Sequence, residues 1–82
     1  MDIRLHPHAV ERLRERGATE VEVFTTIKTG EQFSAKFGRT GFRRNFAFKG
    51  EWRGRRYETK QVEVYTVEEK GWLVLTVIVR YY

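Results

Sequence analysis

His8, Arg12 and Arg16 stand four residues apart, so on a helix they line one face, one above another. An imidazole beside two guanidinium groups suits phosphodiester chemistry. The imidazole moves a proton near neutral pH, and the arginines stabilise the charge that develops on phosphorus. The plain alternative is a charged, solvated helix face, in which Glu11 and Glu15 pair with the arginines. A second candidate group ends the chain. Arg80, Tyr81 and Tyr82 close an apolar strand and can present a guanidinium and a phenol at the end of a sheet, or simply cover the edge of a core. His6 and His8 are two apart, which on a helix builds no shared metal site, and no third ligand accompanies them.

Other chemistries are excluded by what the chain lacks. It has no cysteine, hence no disulfide, thiolate zinc site or cysteine nucleophile. No phosphate-cradling glycine loop, serine elbow or paired-carboxylate signature occurs, and no cofactor is expected. Charge is the stronger signal. The net charge is +5, yet the segment from Lys36 to Lys60 alone holds nine bases and two acids, +7, leaving −2 for the remainder. Arg43, Arg44, Arg53, Arg55, Arg56 and Lys60 are interleaved there with Phe42, Phe46, Phe48, Trp52 and Tyr57. Such a stripe fits RNA, because the cations displace counterions from phosphates while aromatic faces stack on bases. The same residues also fit a solvated sheet whose aromatics face the core.

The elements that must position these groups belong to one domain, residues 1–82, since 82 residues supply a single modest core. Leu, Ile, Val and Phe make up 22 of the 82 residues, enough to fold. Met1 to Leu5 is a short lead-in able to form a strand. Pro7 opens a helix rich in Ala, Leu, Glu and Arg, and Gly17 closes it. Thr19 with Glu22 reads as a capping box for a second helix that ends at Gly30. The period then changes to two. Phe33, Ala35 and Phe37 alternate with polar residues as in a strand, and Gly38 with Gly41 supplies a turn into the strand of Phe42, Phe46 and Phe48. Gly50 to Lys60 is either a long basic loop or two splayed strand arms. Val62, Val64 and Thr66 share one strand face, opposite Glu63, Tyr65 and Val67; Glu68 to Gly71 turns, and Trp72 to Tyr82 is a buried strand. The fold class expected is α+β: two N-terminal helices packed on a curved, mainly antiparallel sheet of four to five strands.

The run from His8 to Gly17 has the pattern H-x3-R-x3-R-G, and a second helix and Gly30-Glu31 follow it. From about Leu5 to Phe33 the chain resembles a bacterial family of unknown function grouped with the RelE-like and barnase–colicin ribonuclease toxins. That resemblance implies a two-helix start on an antiparallel sheet. It marks His8, Arg12 and Arg16 as motif residues and gives Arg80 or a C-terminal tyrosine such as Tyr81 a role in the site.

Together these readings lead to one expectation: a small RelE-like, toxin-type protein that binds RNA and acts as a metal-independent endoribonuclease. The alternative is a non-catalytic basic module that holds nucleic acid or an acidic, antitoxin-like partner protein. No apolar run is long enough for a membrane span and no signal-peptide core follows Met1, so a cytoplasmic setting without membrane contact is expected.

Overall fold

The computed structural model describes residues 2–82; Met1 of the lead-in lies outside them. Strand β1 (Ile3–Leu5) leads into helix α1 (Pro7–Arg16), then helix α2 (Glu20–Thr29). Strand β2 (Glu31–Ser34), a short 3-10 turn (Lys36–Gly38) and strands β3 (Thr40–Trp52), β4 (Arg55–Glu68) and β5 (Trp72–Tyr81) complete the order. The strands form one open sheet in the spatial order β1-β5-β4-β3-β2, and the two helices pack on one face of it. This is an α+β architecture with an N-terminal helical pair.

Local chemistry accounts for both helices. The His6 side chain accepts the His8 backbone N–H at 3.0 Å, and Pro7 fills the first turn, where a missing N–H costs nothing. Gly17 then ends α1 at φ +76°. A Cβ there would stand 2.6 Å from the Trp52 ring and 2.7 Å from the Tyr81 hydroxyl, so glycine answers both backbone and space. Thr19 and Glu22 form the reciprocal capping box, at 3.1 Å and 2.9 Å.

Register carries the apolar sides of both layers into one core. Phe42, Val62 and Val64 of the sheet, with Val74 and Val77 of β5, meet Ala9 and Leu13 of α1 and Val23 and Ile27 of α2. Thr66 joins them, its hydroxyl donating to the Thr40 carbonyl at 3.0 Å. The extra residue of β5, where Thr66 faces Val74 but Tyr65 faces Thr76, keeps both Val74 and Val77 inward.

Three details sharpen the pattern read in the sequence, and the first departs from it. Strand β2 stops at Ser34, because Phe37 adopts φ +62° and Gly38 φ +70°, turning the chain where alternation alone would have continued it. The Gly50 to Lys60 stretch is the pair of strand arms rather than a loop. Arg53 and Gly54, both at positive φ, form a two-residue turn of the kind that matches strand twist. Finally, β1 pairs with β5 in parallel, Ile3 beside Trp72 and Leu5 beside Val74, which makes the sheet mixed. The long arms give the molecule its 39 × 23 × 22 Å shape.

Candidate nucleic-acid interface

The helices leave one face of the sheet bare, and a charged cluster occupies it. Alternation sets Glu63 and Tyr65 opposite Val62 and Val64, and register puts Arg43 directly beside Glu63. The Glu63 side chain is only 4% exposed. Its Oε2 accepts from Arg43 Nη1 at 3.3 Å and forms an ion pair with Arg80 Nη1, also at 3.3 Å, and its Oε1 accepts from the Tyr65 hydroxyl at 2.5 Å. A buried carboxylate persists only when paired in this way. The arginines are less enclosed. Their side chains are 40% and 53% exposed, so both guanidinium groups are anchored yet still reach solvent. The bond donated to Glu63, aided by burial, holds the Tyr65 phenol above its ordinary pKa and so keeps it protonated. Glu31 also pairs with Arg43, at 2.9 Å, and raises its pKa further.

A hollow of about 480 Å³ adjoins this cluster, walled by Phe33, Phe37, Tyr65 and Ile78, with Lys36 and Arg39 at its rim. Phe33 packs against Gly41, where a Cβ would come within 2.3 Å of the ring. The Arg43 guanidinium sits 4.9 Å from that ring's centre, linking hollow and cluster. A neighbouring depression of about 320 Å³ shares Arg39 and Thr76 and is lined by His6 and His8. His8 is exposed at that margin.

The other residues of the helical and C-terminal candidate set are dispersed. Arg12 is paired with Glu15 at 2.7 Å. Arg16 donates to the Val77 carbonyl at 2.5 Å, tying helix to sheet. Tyr81 follows Arg80 on a strand and therefore points to the opposite, helix-covered face. There its hydroxyl donates to the Arg16 carbonyl at 2.8 Å and its ring stacks on Trp52 with centroids 5.0 Å apart. Burial, with the nearby charge of Glu22, pushes the Tyr81 phenol upward. His8 and Arg80 thus stay accessible, whereas Arg12, Arg16 and Tyr81 are held in contacts within the fold.

The basic segment divides similarly. Arg53, Arg55 and Arg56 are exposed at the tip of the β3–β4 arm. Arg53 and Arg55 lie over Trp52 and Tyr57, at 5.1 Å and 5.8 Å, and Arg53 also donates to the Glu15 carbonyl at the end of α1. Arg44 stacks on Phe46 at 4.6 Å, on the side away from Arg43. Lys60 requires correction. It is 5% exposed, donating to the Gly17 carbonyl and to Glu22 Oε1 at 2.8 Å under the rings of Phe48 and Tyr81, so it offers nothing to a ligand. Conversely, Glu63 belongs to the bare-face cluster with Tyr65, although Glu63 did not stand out as chemistry in the sequence. Its signal was the strand alternation that sets it opposite the core valines, on the same face as Arg43 and Arg80.

Among the described residues no three His, Asp or Glu side chains come together as a metal site, and no helix is long and apolar enough to cross a membrane. No family model, curated protein or solved structure matches the chain.

Proposed function

We propose that this chain is a small RelE-like, toxin-type protein that binds RNA and cleaves it without a metal. One observation carries the reading: Arg43 and Arg80 converge on the buried Glu63 carboxylate and remain 40% and 53% exposed, although Arg43 also pairs with Glu31, on a sheet face that the helices α1 and α2 leave bare. Two guanidinium groups held this way form a preorganised clamp for a phosphate. Glu63 acts as their positioning residue. The basic arm formed by the ends of β3 and β4 adds the exposed Arg53, Arg55 and Arg56 for further phosphates, Arg53 lying toward the end of α1. In the reaction the RNA 2′-oxygen bonds to the adjacent phosphorus and the bond to the 5′-oxygen breaks. The proton lost from the 2′-hydroxyl is returned to the departing 5′-oxygen, and His8 at the margin is the group able to carry it. Such a protein works in the cytoplasm and is held in check by an acidic, antitoxin-like partner.

The non-catalytic reading has its own support, because Arg12, Arg16 and Tyr81 are engaged within the fold and His8 alone remains for proton transfer. Incubation of the purified protein with RNA in the presence of chelator separates the two. Cleavage that His8→Gln lowers by about 10²–10⁴, with affinity changed only a few-fold, supports the enzyme. Binding without cleavage by the wild type leaves the module. Replacing Arg53, Arg55 and Arg56 together by Ser should flatten the salt dependence of binding by about 2 units of slope. An unchanged slope would remove the arm from the interface.

A further inference from the structure

The hollow beside the arginine clamp has features that a clamp alone does not require. Its walls are mainly aromatic and aliphatic, with Phe33 and Tyr65 meeting edge to face at 85°. Its rim is cationic, formed by Lys36 and Arg39. Its volume of about 480 Å³ lies in the usual range for small-molecule sites. The residue at its mouth is unusual in two independent ways. Phe37 is 86% exposed, and it occupies a left-handed backbone position, φ +62°, that favours Gly or Asn. Both the exposure and the backbone geometry disfavour phenylalanine in the free protein. Neighbouring contacts hold the turn in place: Ala35 N–H donates to the Arg39 carbonyl at 2.9 Å, and the Arg39 guanidinium lies 5.8 Å from the Phe37 ring centre.

We infer that this hollow is a nucleobase pocket, taking one unpaired base of a single-stranded RNA whose phosphate is held by Arg43 and Arg80. The inference rests on the RNA-binding reading and adds to it the part of the substrate that is recognised. An aromatic wall accepts the face of any base, and cations at the rim suit the phosphates on either side of it. Phe33 connects the two halves of the site. It lines the hollow and its ring lies 4.9 Å from the Arg43 guanidinium, so a base stacked in the hollow and a phosphate on the clamp belong to one nucleotide or to adjacent ones. Duplex RNA keeps its bases stacked and paired, so the pocket selects single strands.

The test uses the full chain and a short single-stranded RNA carrying a fluorescent base analogue at its centre, beside the same strand made abasic at that position. The wild type should quench the analogue on binding and should bind the abasic strand at least about fivefold more weakly. Phe37→Asn is the decisive variant, because asparagine suits the left-handed turn. It should unfold at higher urea than the wild type, while its affinity for the intact strand falls to that for the abasic one. The salt slope should be unchanged, since no charge is removed. Equal binding of intact and abasic strands by the wild type overturns the pocket, and this is also the result expected if the hollow takes a side chain of a protein partner. If that equality occurs while the Arg53, Arg55 and Arg56 replacement still flattens the salt slope, the RNA-binding reading stands without the pocket. A wild type that binds neither strand overturns both.

Discussion

Two buried charges lie three residues apart on β4, and they are put to opposite uses. Lys60 faces the helices and Glu63 the bare side of the sheet, 5% and 3% exposed. The ammonium group of Lys60 is consumed by the end of α1 and the start of α2, through Gly17 and Glu22, beneath aromatic rings. Glu63 is equally enclosed, but its partners Arg43 and Arg80 are not. One charge closes a gap between elements, whereas the other aims two exposed cations. Burial of a charged group therefore says little about its role until the exposure of its partners is known.

The covered side should respond most strongly to mutation. Lys60→Ala strips Glu22 of its buried partner and should cost about 3–5 kcal/mol in urea unfolding, the range for breaking a buried pair. RNA affinity, measured where the variant is still folded, should stay near that of the wild type. A loss of affinity with intact stability would instead return Lys60 to the interface and erase the contrast.

A smaller loss is expected at the bare face from Gly41→Ala. The added methyl meets the Phe33 ring, which must leave its seat, at about 1–3 kcal/mol for overpacking. Because Phe33 also carries Arg43, this variant should weaken RNA binding as well as stability, which Lys60→Ala should not. Thr19→Ala, remote from the bare face, removes the cap of α2 and should cost about 0.5–2 kcal/mol with no change in RNA affinity.

The finest distinction is between two phenols. Tyr81 and Tyr65 both titrate above the usual range, the first chiefly through burial and the second chiefly through its bond to Glu63. A titration followed by phenolate absorbance should show Glu63→Gln bringing Tyr65 down while leaving Tyr81 unmoved. Since both folded values exceed the unfolded one, their contribution to stability is complete below about pH 10 and fades as the pH rises through the folded values. A shift of Tyr81 in Glu63→Gln would mean that the two sides of the sheet are electrostatically joined.

Much of this arrangement was legible in residue types. Pro7, Gly17, the Thr19–Glu22 pair and Gly30 mark the helices because capping is local chemistry. The valines of β4 show their face through alternation. What stayed hidden depends on distant contacts. Lys60 counts as a free cation in any tally of charge, and only the meeting of Gly17, Glu22 and the Phe48 and Tyr81 rings around it shows otherwise. The helical spacing of His8, Arg12 and Arg16 is real, yet spacing does not say that Arg16 would reach the Val77 carbonyl. Arg80 and Tyr81 are adjacent in sequence and separated by the thickness of the sheet. Phe37 continued an alternating pattern that the backbone abandoned two residues earlier, because the turn at Phe37 and Gly38 is set by β2 returning beside β3.

The unequal lengths of β2 and β3 have one more consequence. Strand β2 covers β3 only from Thr40 to Arg43, so from Arg44 to Trp52 the outer rim of β3 has no strand beside it among the described residues. Its backbone donors and acceptors there form a ready template on which another copy could add a strand and begin a fibril. Two features work against such growth. The irregularity between Ala47 and Gly50 interrupts the regular spacing that a continuous ladder needs, and Lys49 within it sits at φ +47°. Arg44 and Lys49 also bring cations to the rim, which a second copy would have to approach with its own. The charge that suits the arm to a polyanion therefore also protects an unfinished edge from self-assembly.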